Sequence, residues 1–432
     1  MFRFNARAYA RHLLACIAVA MTALAPAWAE ESQAQLGLKE AVDLAITAQP
    51  LIDGLDAQAR SARESSVAAS QLPDPQLKAG LVDLPINTSD AYSFTRESGT
   101  QFQAGVTQEF PRAEKRRLRG KLLDREALRF VAERHLTERS IRRDAGLAWL
   151  DIWRYQQTLR LTQASLMQAE VQMQLVEIAL RTGTATQAEY LSARQEVNRL
   201  KDAVSAAEQG TAHSRNTLSR WIGDAALRPL PNAQLTLPDL PNLETALARA
   251  GQHPSLETFK TQAASAQTGI ELAQASYSPD WRIELGYANR PSYSDLVSLQ
   301  VGIDLPLFTS NRQDRNLAAA LAEKDAAESK IEDQRRQLMA EARLNHHDFS
   351  RLQQRISEYD ATLIPQSEAR TEAALISWRS VRGPLRDVID ARRAALEVQM
   401  ARLDLQFDLS RHFIQLTYLG AYDAAAVEIS NE

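Results

Sequence analysis

The 432-residue chain holds a single cysteine, Cys16, so no disulfide framework can staple its fold. After residue 25 it has no run of 18 uncharged apolar residues. That excludes a later transmembrane helix but not a membrane strand, which needs only about ten residues. No sign of charge dominates: 50 Lys and Arg against 54 Asp and Glu leave −4, which argues against a nucleic-acid partner. The chain also lacks a nucleophile elbow, a phosphate-binding glycine loop and an HExxH motif, and its carboxylates scatter along helix faces, so an enzyme is disfavoured. Between Pro111 and Pro229 there is no proline, and so no obligatory helix breaker.

What is present begins with a leader. Arg3, Arg7 and Arg11 precede the apolar run LLACIAVAMTALA (13–25), and Ala27-Trp28-Ala29 puts small residues where a signal peptidase reads. Residues 1–29 are expected to be a secretory signal. A lipidated Cys16 would leave only Leu13-Leu14-Ala15 as apolar run before it, which is too short. Removing the leader takes away three positive charges, from −4 to −7 (−4 minus 3). Export without a transmembrane helix leaves the periplasm, the exterior or an outer-membrane barrel.

The rest reads twice. LKEAVDLAITAQPLIDGLDAQARSA (38–62) is echoed by LETALARAGQHPSLETFKTQAASA (243–266), with Pro50 matching Pro254. LPDPQLKAGL (72–81) is echoed by SPDWRIELGY (278–287), and GVTQEFP (105–111) by GIDLPLF (302–308). LRTGTATQAEYLSAR (180–194) matches WRSVRGPLRDVIDAR (378–392), and RWIG (220–223) matches TYLG (417–420). The order is kept at an offset of about 200 residues, which indicates a duplicated unit. The organisation is a first repeat (30–223), a linker with four prolines (224–242), a second repeat (243–420) and a tail (421–432).

Each repeat reads as helix, two strands, long helix, turn, helix. The expected segments are 38–70, 76–84, 101–110, 117–180 and 187–221, then 243–276, 281–288, 297–305, 314–378 and 386–418. The stretch 117–180 would be about 96 Å long as a helix. The flanking helices are about half that, so two end to end match one long rod. Ala193, Val197, Leu200, Val204 and Ala207 follow a coiled-coil rhythm, echoed by Leu396, Met400, Leu403 and Phe407. Such rods pack laterally into a bundle or tube. Pro365 should kink or loosen the second long helix.

The strands alternate. Phe102, Ala104, Val106 and Phe110 oppose Gln101, Gln103, Gly105, Thr107 and Glu109. Trp281, Ile283, Leu285 and Tyr287 oppose Arg282, Glu284 and Gly286. A soluble sheet with one wet face would alternate in the same way. A membrane reading requires several copies, because two hairpins cannot close a barrel and lipid does not tolerate an open edge. Three chains would bring twelve strands, inside the range of outer-membrane barrels.

PDP (73–75), GVTQEFPRAEKRR (105–117), GIDLPLFTSNRQDRN (302–316), LIPQSEA (363–369) and the two hairpin tips, in this order, resemble the TolC-like outer-membrane efflux proteins. The resemblance covers essentially the whole mature chain. Through the KRR segment it is closest to the branch serving cobalt-zinc-cadmium and copper-silver pumps. It implies a mainly α fold with a small β part: a trimeric twelve-stranded outer-membrane barrel continued by a long α-helical barrel. It implies a periplasmic adaptor, an inner-membrane transporter of the RND type that supplies the energy, and no cofactor or chemistry of the protein's own. A periplasmic coiled-coil adaptor is the rival, but such proteins normally carry one hairpin per chain.

The resemblance also assigns residues. The turns RTGTATQ (181–187) and RSVRGPLRD (379–387) become the adaptor-docking tips, with Arg181, Thr182, Gly183, Arg382, Gly383 and Pro384. Gly183 and Gly383 are expected to supply backbone geometry that other residues take at a cost, and Pro384 to suit the first turn of the next helix. Asp387 and Asp390 match an Asp-x-x-Asp ring at the constricted end, where symmetry would gather six carboxylates that favour cations. Glu189 stands at the matching place after the other tip, where the family often has Asp. RAEKRRLRGK (112–121) is expected near anionic headgroups, although basic charge opposes the helix dipole there. His346 and His347 are adjacent and cannot chelate as an i, i+4 pair does.

Overall fold

The computed structural model describes residues 35–47, 49–232 and 235–422. The expected signal sequence with Cys16, and the tail beyond Tyr422, lie outside the described residues.

Two prolines divide the helices that open each half. Instead of one helix over 38–70 there are α1 (Leu38–Leu44) and α2 (Pro50–Ala69). Instead of one over 243–276 there are α5 (Leu243–Ala250) and α6 (Pro254–Ala275). Pro50 and Pro254 each open the second piece. A proline donates no backbone hydrogen bond and pushes the residue before it out of the helical region, so it starts a helix but cannot continue one.

The proline-free stretch opens with one helix, α3 (Ala113–Arg181), of 69 residues, about 104 Å long. It turns into α4 (Gln187–Ile222), which ends in a short 3-10 turn, Gly223–Leu227. α2 packs along one half of α3 and α4 along the other. The second long segment is α7 (Gln313–Glu358), a π turn (Tyr359–Leu363) and α8 (Ile364–Arg379), followed by α9 (Leu385–Tyr418). Pro365 stands in the first turn of α8. Without an N–H it leaves a carbonyl of the preceding turn unbonded, and the π turn absorbs the mismatch. α6 and α9 pack along α7, and α9 also packs along α8.

The main core sits at the waist of the rods. Trp149, Leu150, Ile152 and Trp153 of α3, Phe349 of α7, and Phe413 and Leu416 of α9 are almost fully buried there with Leu36. The Trp149 indole donates to the Leu36 carbonyl at 2.9 Å. Away from the waist the cores thin. Ala169, Val197 and Leu200 form one cluster; Val176, Ala193 and Leu385 form another. Of the coiled-coil positions in α4, Ala193, Val197, Leu200 and Ala207 are buried and Val204 is half-buried.

At the far end of the rods lies one sheet of four antiparallel strands in the order β1 (Gln76–Val82), β2 (Gln101–Phe110), β3 (Trp281–Asn289), β4 (Leu296–Ile303). Its register sorts the faces. Leu77, Val106, Leu285 and Leu299 form one row across all four strands, and Ala79, Ala104, Tyr287 and Val297 form another. Leu77, Leu285, Val297, Leu299, Val301 and Ile303 are all more than half exposed. β1 and β4 are unpaired edges; the sheet does not close on itself.

Candidate functional site

The turns α3–α4 and α8–α9 lie together at the end of the rods opposite the sheet. Leu385, the first residue of α9, packs against Val176 of α3 and Ala193 of α4. Both turns close in the same way. The Thr184 amide donates to the Ala179 carbonyl at 2.8 Å, and the Arg382 amide to the Ser377 carbonyl at 2.9 Å. Each such closure places the residue before the donor in the left-handed region. In the first turn that residue is Gly183, at φ 74°. In the second it is Val381, at φ 60° and 86% exposed.

The expectation for Gly383 is thus corrected. Helix α8 ends at Arg379 with Ser380 as its cap, so the left-handed position falls two residues before Gly383. Gly383 is instead closely approached by a side chain: a Cβ there would lie 2.5 Å from Ser377 Oγ, which would have to rotate away. Pro384 is likewise one residue earlier than expected, since it is the cap of α9 and the helix begins at Leu385. The alignment of 180–194 with 378–392 already pairs Gly183 with Val381, and that signal could have located the strained residue.

The remaining tip residues fall as follows. Arg181 pairs with Glu177 one turn back, at 2.6 Å. The Thr182 and Thr184 hydroxyls both donate to the Ala179 carbonyl at 3.1 Å. The Arg382 side chain has no carboxylate within ion-pair distance among the described residues and is exposed.

Glu189 forms a capping box with Thr186, a Thr-x-x-Glu signature that sequence reasoning missed. Its carboxylate accepts from the Thr186 amide at 2.8 Å and the Thr186 hydroxyl at 3.0 Å. These bonds, the amide first, hold its pKa below the ordinary glutamate value, and the Leu385 amide adds to them. Asp387 occupies the equivalent third position of α9, where the cap is Pro384. Proline has neither hydroxyl nor N–H, so no box can form. Asp387 and Asp390 are both exposed, whereas Leu385, Val388 and Ala391 of the same helix are buried.

At the other end, the basic segment 112–121 is drawn into the helix–strand junction. Lys115, 8% exposed, donates to Asp280 at 2.8 Å and to the Ser278 carbonyl at 2.7 Å. The Arg112 amide donates to the other Asp280 oxygen at 2.9 Å. Arg116 donates to the Ser70 carbonyl, and Lys121 pairs with Glu271 at 2.8 Å. Burial raises the Asp280 pKa, but the bonds from Lys115 and Arg112 outweigh it and hold the carboxyl below its usual range. A carboxylate from β3's lead-in therefore answers the charge that opposes the α3 dipole. Sequence spacing gave no sign of this contact across 165 residues.

On the polar sheet face Lys78 of β1 reaches Glu284 of β3 at 3.1 Å, across the strand between them. His346 bonds the Pro241 carbonyl at 2.9 Å, and His347 meets Asp348 at 3.3 Å. Among the described residues no group of three or more His, Cys, Asp or Glu could hold a metal.

No family profile matches the chain, and no curated protein matches it in sequence. Solved structures do match it. The outer membrane protein VceC from Vibrio cholerae aligns at TM-score 0.71 and 19% identity, over 89% of this chain and 96% of that one. CusC, whose folding and transmembrane channel formation were studied by crystallography, aligns at 0.72 and 15%, over 89% and 92%. The open state of the MtrE outer membrane channel of Neisseria gonorrhoeae aligns at 0.70 and 16%, over 89% of each. The chain has their fold.

Proposed function

We propose that three copies of this chain close a twelve-stranded barrel in the outer membrane, continued into the periplasm by a tube of their helices. The assembly conducts solute passively outward as the exit duct of a tripartite efflux system. One observation carries the reading: an open sheet with an apolar, exposed face caps rods about 100 Å long. An unclosed edge and a bare apolar face are tolerated in lipid only if like strands complete the ring. The fold shared with outer-membrane channels supports it. Lys78, Glu284 and Thr107 then face a water-filled lumen.

In this reading residues 30–223 and 243–420 are one unit duplicated, joined by 224–242. The tips at Arg181–Gly183 and Arg382–Pro384 meet a periplasmic adaptor, and an RND-type inner-membrane transporter supplies the energy. Asp387 and Asp390 ring the narrow end. Glu189 contributes less, because its carboxylate is engaged by Thr186. The chain itself does no chemistry. The proposed cargo is heavy-metal cations, for which the aspartate ring and the KRR resemblance are the support.

Planar-bilayer recording of the purified protein tests the duct: stepwise, cation-selective conductance supports it, and electrically silent lipid overturns it. Growth of a deletion strain tests the cargo. Sensitivity to cobalt, zinc or copper supports metals; sensitivity to organic toxicants alone removes the metal reading and leaves the duct.

A further inference from the structure

Near the tips, α3, α4, α8 and α9 line an open cavity of about 530 Å³. Its polar groups do not balance. Gln172 of α3 is 5% exposed, and its carboxamide nitrogen has no hydrogen-bond partner. Arg392 of α9 donates through Nη1 to the Gln168 carbonyl at 3.1 Å, one helical turn from Gln172 on the same face. Its buried Nε has no partner, and no carboxylate lies within ion-pair distance of it among the described residues. Burial lowers the pKa of this guanidinium.

The nearby acid cannot serve it. Glu196 of α4 is already held by Arg199 at 2.6 Å and by Arg393 at 2.6 Å. Burial alone would raise the Glu196 pKa, but these two bonds keep it below the usual range, so the carboxylate is charged and engaged. Arg393 is itself left with a buried, unpartnered Nε. Three orphaned donors thus line one space, and Arg392 has no carboxylate in direct contact among the described residues. Water can satisfy a donor, but an anion held in the cavity also pairs with the buried edge of Arg392 directly.

We infer that this cavity binds a small carboxylate monoanion, held by the Nε edge of Arg392 and the carboxamide of Gln172. A planar carboxylate fits a guanidinium edge. Glu368 and Glu372 line the α8 wall, both exposed and without an ion-pair partner among the described residues. They disfavour a second negative charge on the ligand. Leu375 and Ile389 supply an apolar wall for a short alkyl end. The bound anion fastens α9 to α3 beside the tips, a role separate from conduction.

The test uses the full-length protein in detergent at fixed pH and ionic strength, with chloride exchanged for acetate and the thermal midpoint recorded. The expected result is a saturable rise with acetate. Arg392→Gln and Gln172→Leu should abolish it, while Arg386→Gln, exposed on the same helix, should retain it. Gln172→Leu should also have the higher midpoint without acetate, because the orphaned donor is gone; this variant decides the matter if Arg392→Gln fails to fold. A response that does not saturate, or that persists in Gln172→Leu, overturns the site. A midpoint that does not rise as acetate replaces chloride overturns the carboxylate preference.

Discussion

Lys115 and Asp280 meet at 2.8 Å where the first long helix begins and the third strand is about to start. Their bond ties two chain segments that the sequence keeps 165 residues apart. Lys115 is largely buried and Asp280 also receives the Arg112 amide, so the pair is more than a surface ion bridge. Asp280→Asn should lower stability by about 2 kcal/mol, the worth of hydrogen bonds to a charged group. Thermal unfolding in detergent checks this. A variant as stable as the parent would show that the junction is held by other contacts.

The tip turns make opposite predictions for two neighbouring positions. Val381→Gly removes a β-branched residue from the left-handed region and should stabilise by about 1 kcal/mol. Gly383→Ala should destabilise only slightly, since the Ser377 hydroxyl can rotate away, and Ser377→Ala should remove even that loss. Denaturant midpoints of the three variants and the double variant read both effects.

His253 supplies a pH dependence. It is 1% exposed, caps α6 by accepting from the Ser255 amide at 3.2 Å, and faces Tyr418, with Arg139 and Arg143 nearby. Burial, then Arg139, lowers its pKa to about 4 from 6.5. The unfolded chain takes up this proton as pH falls below 6.5 and the folded chain does not. Stability from this group is complete above pH 6.5 and is lost toward pH 4, by about 3 kcal/mol in all. His253→Asn keeps a cap and does not titrate. The difference between its stability profile and the parent's should therefore follow that window, and parallel profiles would refute the assignment.

The aspartates and the tip arginines separate two roles at one end. Asp387→Ala with Asp390→Ala should abolish block of single-channel current by divalent cations. Glu189→Ala should leave most of the block and instead cost about 1 kcal/mol of helix stability, because the Thr186 amide loses its acceptor in the capping box. Charge reversal at Arg181 and Arg382 should weaken crosslinking to the adaptor without lowering oligomer yield.

Much of this architecture was legible locally. The proline gap from Pro111 to Pro229 announced α3, and Phe102, Val106, Leu285 and Leu299 announced a two-faced sheet. The breaks at Pro50 and Pro254 and the capping box at Thr186 and Glu189 were also present as local signals and were read through. What local pattern could not supply was pairing between distant segments. No periodicity tells that Asp280 caps the start of α3, that Glu196 is held by Arg393, or that Arg392 is left without a carboxylate. The left-handed residue at Val381 depended on where α8 stops, a point fixed by packing at the tip.

The central claim is that one chain's four strands are an incomplete wall that like copies finish. The mass of the folded species extracted by detergent from outer membranes tests it most directly. Three copies per particle, resistant to dissociation until heated, is the predicted result. A folded, water-soluble single chain would contradict it.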